Sequence, residues 1–301
     1  METVSFTELR GSMVSRSDIT FGGSLMPKVL SQSQVDYFHE CGYCAPIDVM
    51  SEEEAHALKL RVEAAEAANP EELGPTNRNN AHLAYTCIDE VAHHPVIVGA
   101  VSDLIGEDIL LGGSVLFFKE PNSAGFVSWH QDATYMGVEP HTFITPWLAL
   151  TPSNPELGCI KAIPGSHKDG IRTHHDTFGE DNILTRGQTV TDVNEAAAVD
   201  LVLRPGQMSI HHACTVHGSM PNQGDERRMG IALQAYMGPE SHQTIGEHLV
   251  QVVQGCDGGG DFSVLPRPDA DRDEAGAAAR AQANANWAEI IYAGASKVRS
   301  Y

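Results

Sequence analysis

The sequence predicts a mainly β fold, a β-sandwich or jelly roll with helices packed on its outside. Two observations carry this. From Leu110 onward, short apolar runs alternate with Gly, Pro and Asn punctuation. Before that point, apolar residues recur at helical spacing behind capping signals. With 42% hydrophobic residues in 301, the chain has enough apolar surface to offset the entropy of ordering a core.

The elements follow in order. Residues 1–30 show little periodicity and are expected to form an N-terminal arm. Residues 31–301 are expected to form one domain with a helical opening and a late helix. Ser33 to His39 reads as a short helix stopped near Gly42. Ser51 before Glu52, Glu53 and Glu54 is an N-cap with an acidic first turn. Ala55, Leu58, Leu60, Val62 and Ala65 then lie on or near one face of a helix that ends by Pro70. Residues 71–86 are polar and predict a loop, and Pro95 to Leu104 another helix. The expected strands are Ser114–Phe118, Phe126–Trp129, Thr142–Leu150, Cys159–Ile163, Val199–Leu203, Met208–His212 and Met229–Tyr236. Residues 165–198 are long and polar, an excursion from the barrel. Residues 274–290 are Ala-rich and predict a helix around Trp287.

Charge and composition exclude several functions. There are 19 Lys and Arg against 40 Asp and Glu, a formal charge of −21. Such a chain repels polyphosphate and anionic membrane surfaces, so neither nucleic acid nor membrane is an expected partner. No apolar run is long enough to span a bilayer, and Met1 to Ser15 lacks the apolar core of a signal peptide. Six cysteines are too sparse for a disulfide scaffold, so a reducing cytoplasm is the expected compartment. Cys41 and Cys44 have no second pair to complete a zinc site and read as small packing residues. Gly255–Gly260 lacks a dinucleotide-binding frame.

Trp129-His130-Gln131-Asp132 is the strongest local signal. On a strand, residues i and i+2 share a face, so His130 and Asp132 would present an imidazole and a carboxylate together while Gln131 points away. That is two-thirds of a 2-His-1-carboxylate facial triad, which holds Fe(II) and leaves open positions. His217 is the best third ligand, at the end of an apolar run and before a turn marked by Gly218 and Pro221-Asn222. Eleven residues later comes Arg228, near enough across a hairpin to clamp a dicarboxylate. His211 and His212 read as packing or pocket-wall residues, His167 as part of a turn, and His174-His175-Asp176 as a solvated loop.

The ordered set of motifs resembles the phytanoyl-CoA dioxygenase family of Fe(II)/2-oxoglutarate oxygenases. Phe118-Lys119-Glu120-Pro121 precedes Trp129–Asp132, and Trp147-Leu148-Ala149-Leu150 follows. Leu157-Gly158-Cys159 and Pro164-Gly165-Ser166-His167 come next, then Pro205-Gly206, His217-Gly218-Ser219, Asn222 and Arg228. Leu157 stands where the family usually has Asn. The resemblance covers roughly residues 30–265. It implies a double-stranded β-helix, a cupin-like jelly roll with iron at one open end. It implies that His130, Asp132 and His217 bind Fe(II), with 2-oxoglutarate and O₂ as cosubstrates. Arg228 and Ser219 would hold the distal carboxylate, Trp147 would touch the cosubstrate, and Phe118 would wall the pocket. Related halogenases have Ala or Gly at the Asp132 position, so the carboxylate favours hydroxylation.

The expected activity is therefore hydroxylation of an aliphatic C–H of a small molecule, with 2-oxoglutarate decarboxylated to succinate, by a monomer or homodimer. Tyr135, Arg186 and Asn80 are the candidate substrate contacts. The alternative is a cupin-like metal-binding sensor or binding module without turnover.

Overall fold

The computed structural model describes residues 28–260 and 262–298. Residues 1–27 of the expected arm lie outside the described residues. The Asp103 carboxylate accepts the backbone N–H groups of Lys28, Val29 and Leu30.

Local signals set the helical half. Ser31 and Gln34 form a capping box for α1 (Gln32–Cys41), which stops at Gly42 in the left-handed conformation. Ser51 and Glu54 do the same for α2 (Glu52–Ala68). The expected loop at 71–86 is instead largely ordered. It holds α3 (Pro70–Leu73), a 3₁₀ turn (Ala81–Leu83) and the start of α4 (Thr86–Ala92). Its polar residues mask a buried set, Leu73, Ala81, Leu83, Ala84 and Tyr85. α5 (Pro95–Ile105) follows, then α6 (Ala133–Met136) between strands and α7 (Glu274–Tyr292) at the end, capped by Asp273.

Two sheets face each other. The larger has the order β1 (Tyr43–Asp48), β10 (Gln207–His212), β5 (Ile144–Ala149), β12 (Arg228–Met237), β2 (Ile109–Lys119), β14 (Leu249–Gln254) and β15 (Ser263–Val264), numbered along the chain. The smaller has β3 (Val127–His130), β11 (His217–Ser219), β6 (Ile160–Ala162) and β9 (Val199–Leu201). Two short pairs complete the β structure, β4 (Val138–Glu139) with β13 (His242–Gln243) and β7 (His174–Asp176) with β8 (Gln188–Val190). All seven runs read as strands are present. β1, β14 and the short β4, β7, β8, β13 and β15 were not expected, and β11, expected as one arm of a hairpin with the strand at Arg228, pairs instead with β3 and β6 while β12 lies in the other sheet. β11 is only three residues long, too short to show a period.

Alternation along the strands divides the core. Ile144 and Leu148 of β5, with Met229, Ile231 and Leu233 of β12, face the helices and join the main core. Trp147, Ala149 and Ala232 face the smaller sheet and pack with Ile160, Ala162 and Leu201. Gly230 allows this, because a Cβ there would lie 1.9 Å from Trp147 Cζ2. The Trp147 ring therefore lies flat against the β12 backbone and leaves a cavity between the sheets.

The residue 165–198 excursion folds back on the barrel. Ser128 of β3 donates to the carbonyl of Gln188, and Asn182 donates to Ser128. The expectation of a solvated loop at His174-His175-Asp176 is corrected: the segment is β7, and His174 accepts the backbone N–H of Gln131. Gln131 itself points away from the cavity and ties together Gly170, Arg172 and Cys214.

α7 is fastened by Arg280, whose buried guanidinium donates to the carbonyls of Glu72, Asn77 and Asn79. Arg280→Ala should cost roughly 2–4 kcal/mol, because three carbonyls lose a charged donor. Urea unfolding of the variant measures this, and an unchanged midpoint with unchanged slope would show that the clamp adds no stability.

Candidate metal centre

Strand pairing assembles the centre. His217 opens β11 and His130 closes β3, and the two are register partners. Their ring centroids lie 4.2 Å apart. Asp132 is not on the strand. The chain turns helical there, with φ −58 and ψ −38 at the cap of α6. Strand alternation is therefore the wrong reason for the pairing of His130 with Asp132. The turn folds the carboxylate back, leaving Oδ1 3.4 Å from His130 Nε2 and 3.8 Å from His217 Nε2. All three side chains are buried, with their ligand atoms within 4.8 Å of one another.

Hydrogen bonds set the direction of the lone pairs. His130 Nδ1 is 2.9 Å from the Ser128 carbonyl, and His217 Nδ1 is 3.0 Å from the Thr215 carbonyl. Carbonyls only accept, so both Nδ1 atoms carry hydrogen and both Nε2 atoms present lone pairs. Burial pushes the His217 pKa well below its usual value, which keeps that imidazole neutral. Burial opposes charge on Asp132, yet hydrogen bonding, with His211 Nε2–H a donor to Oδ2, holds its carboxyl well below the usual range. Two neutral nitrogens and a carboxylate oxygen thus face one point, an arrangement that repels itself unless a cation lies between them. Asp132 Oδ2 is occupied, accepting from Thr145 Oγ1 at 2.9 Å and His211 Nε2 at 3.1 Å. Only Oδ1 remains for a metal. This donor set fits a ferrous ion held on one face.

A second charged group lies beside it. Arg228 and Lys119 are register partners at the ends of β12 and β2, and each is 1% exposed. Arg228 donates Nη1 to the Gly158 carbonyl, its Nε has no partner, and its guanidinium lies 5.0 Å from the Trp147 ring. Lys119 donates to Ser219 Oγ at 2.7 Å and to the carbonyls of Ser219 and Met220. Among the described residues, no carboxylate forms a salt bridge with either cation. Burial, then the Arg228 charge, pushes the Lys119 pKa down to about 6. Three oxygens around Nζ call for its three hydrogens. An incoming carboxylate would restore the charged form.

The centre and Arg228 open into one cavity of about 170 Å³. Ser219, Trp147, Phe118 and Tyr135 also line it. The guanidinium groups of Arg78 and Arg227 both lie over the Phe118 ring, at 4.6 and 4.9 Å from its centroid. The structure does not bring Arg186 or Asn80 into this cavity. Arg186 is committed to Asp176 and to the carbonyls of Ile291 and Ala293. Asn80 is buried, donates to Asn284 and faces a smaller neighbouring void. Sequence reasoning missed Lys119 and Thr145 as parts of the site, and it allowed His211 a place on the pocket wall, where it lies, without its bond to Asp132. Thr145 and His211 are register partners on β5 and β10, a relation visible only after the strands are paired.

The family model for phytanoyl-CoA dioxygenase matches residues 38–230. The chain belongs to the phytanoyl-CoA dioxygenase family. A probable alpha-ketoglutarate-dependent hypophosphite dioxygenase of Stutzerimonas stutzeri is 32% identical over 50% of this chain and 52% of its own. The phytanoyl-CoA dioxygenase of Arabidopsis thaliana is 30% identical over 40% of this chain and 42% of its own. The chain thus spans about half the length of the curated relatives it matches. Among solved structures, the apo form of the non-heme monooxygenase ThoJ superposes with a TM-score of 0.78 at 30% identity, covering 86% of this chain and 98% of that one. CytC3 with Fe(II) and alpha-ketoglutarate shares the fold, with a TM-score of 0.59 at 22% identity over 79% of this chain and 93% of that one. Fe(II), with 2-oxoglutarate and O₂ as cosubstrates, is the cofactor set on which the family and this donor set agree.

Thr145→Val removes one of the two bonds that reserve Oδ1 for the metal. Fe(II) affinity measured by titration under nitrogen should fall about tenfold, with the melting temperature little changed.

Proposed function

We propose that this protein is an Fe(II)/2-oxoglutarate-dependent dioxygenase that hydroxylates an aliphatic C–H of a small molecule, converting 2-oxoglutarate and O₂ to succinate and CO₂. One observation carries this reading. A buried triad of metal-ready donors and the buried Arg228 guanidinium, which lacks an acid, line one cavity, with Lys119 as the register partner of Arg228 behind that wall. The first needs a cation and the second needs an anion, and a metal with a chelating dicarboxylate satisfies both.

In this reading His130, Asp132 and His217 hold Fe(II), which supplies the redox chemistry of O₂. Thr145 and His211 keep Asp132 monodentate. Arg228 binds the distal carboxylate of 2-oxoglutarate, with Ser219 as a hydroxyl partner and Lys119 adding charge from behind. Trp147 limits the movement of Arg228 and lines the cosubstrate's path. The buried setting excludes water, which strengthens each of these contacts. Asp132 fills the position that a halide would need, so hydroxylation is favoured over halogenation. The alternative, a metal-binding sensor without turnover, gives no use to an uncompensated buried guanidinium, which is costly to retain.

Purified protein with Fe(II) and 2-oxoglutarate should form succinate, and His130→Ala should reduce this to background. Unchanged succinate formation in that variant would refute the triad. Arg228→Leu should raise the KM for 2-oxoglutarate by about 100-fold, the effect of stranding a buried carboxylate without its partner. Lys119 generates a pH dependence. Its pKa is about 6 in the free protein and rises when a carboxylate binds nearby, so binding takes up a proton above pH 6. Affinity for 2-oxoglutarate should therefore weaken as pH rises, by at most about tenfold per unit. Lys119→Met should flatten the slope, as read by calorimetry in buffers of different ionisation enthalpy.

A further inference from the structure

The cavity extends outward from the metal centre, and its far wall is built by parts of the chain beyond the family match. Gln234 on β12 and Trp287 and Ile291 on α7 all line it, and all follow residue 230. Ile183 of the excursion and Met136 of α6 complete an apolar rim.

The charges on this wall are already compensated. Arg78, Asp132 and Arg228 are the side chains lining the cavity that carry full charge at neutral pH. Asp132 and Arg228 belong to the metal and cosubstrate. Arg78 donates to Glu66 at 2.7 Å and to the Leu73 carbonyl, and it stacks on Phe118. Glu66 also takes both terminal nitrogens of Arg227, which reaches Glu120 at 2.9 Å. Two guanidinium groups thus face two carboxylates. An anionic or cationic group brought into the outer cavity would lose water and find no free counter-charge. Gln234 offers a different contact. Its carboxamide forms no hydrogen bond with the described residues and lies on the cavity wall, ready to pair with a hydroxyl, carbonyl or amide.

We infer that the outer cavity selects a neutral, largely apolar small molecule bearing one hydroxyl, carbonyl or amide group, with Gln234, Trp287 and Ile291 as its specificity-determining residues. Naming that molecule the substrate rests on the oxygenase reading. Arg186 acts as a positioning residue. It joins Asp176 of the excursion to the last carbonyls of α7, so it sets how close Trp287 and Ile291 stand to the centre.

The test uses four probes on one ring: cyclohexanecarboxamide, cyclohexylmethanol, cyclohexanecarboxylate and cyclohexylmethylammonium. Binding to the full chain is measured under nitrogen by saturation-transfer NMR and calorimetry, with Fe(II) and 2-oxoglutarate present and with neither. The amide and alcohol should bind at least about tenfold more tightly than the two ions. Trp287→Ala and the near-isosteric Gln234→Leu should each weaken the amide about fivefold or more. Arg186→Met should weaken it while leaving 2-oxoglutarate affinity unchanged. The inference is overturned if an ion binds as well as the amide, if no neutral probe binds, or if a folded Gln234→Leu variant keeps the parent's affinity. Succinate formation is scored separately. Its absence removes the oxygenase reading, whereas a preference for ions in a protein that does form succinate removes only this one.

Discussion

The site depends on a strand of three residues. β11 lies between β3 and β6 and pairs with both. That pairing places His217 against His130 and, two residues on, Ser219 beside Lys119. Gly218 makes the insertion possible, since a Cβ there would lie 2.9 Å from the Val127 carbonyl. One short pairing therefore sets both the metal donors and the hydroxyl of the anion pocket. A register slip by a single residue would turn the imidazole to the other face and dismantle both at once.

Electrostatics then determine what can occupy the cavity. The chain is strongly acidic overall, yet the side chains buried beside the centre include two cations with no acid to pair with. Acidic residues serve instead to neutralise cations at the edges. Glu66 holds Arg78 and Arg227, Asp176 holds Arg186, and Glu72 holds Arg272. The result is a protein that repels polyanions at long range while keeping one uncompensated positive pocket beside the donors.

The strand runs, the Ser51 cap and the residues that converge were legible because each is a local signal. Ser51 with Glu54 needs only four positions, and His130 with Asp132 needs three. Their geometric cause was not legible, since the αR turn at Asp132 depends on what the next helix does. Arg186 shows the same limit in reverse. An arginine in a polar stretch reads as a possible anion contact, but Asp176 ten residues earlier and the end of α7 more than a hundred residues later claim it. The pairing of Thr145 with His211 depends on register across β5 and β10. No spacing within the chain encodes such a contact.

This difference also separates chemistry from selection. The donors, Arg228 and Lys119 all lie within residues 38–230, the segment that matches the family, and the sheet core holds them rigidly. Residues that touch the outer cavity come largely from segments fastened onto that core by side chains, α7 by Arg280 and Arg186 and the excursion by Ser128 and Asn182. Core positions tolerate little change, because a displaced ligand leaves buried lone pairs or charges uncompensated. A helix held by a few guanidinium–carbonyl bonds can be exchanged or retuned at a cost limited to those bonds. The same centre could in this way serve molecules of different shape, with the last helix deciding which of them reaches the metal.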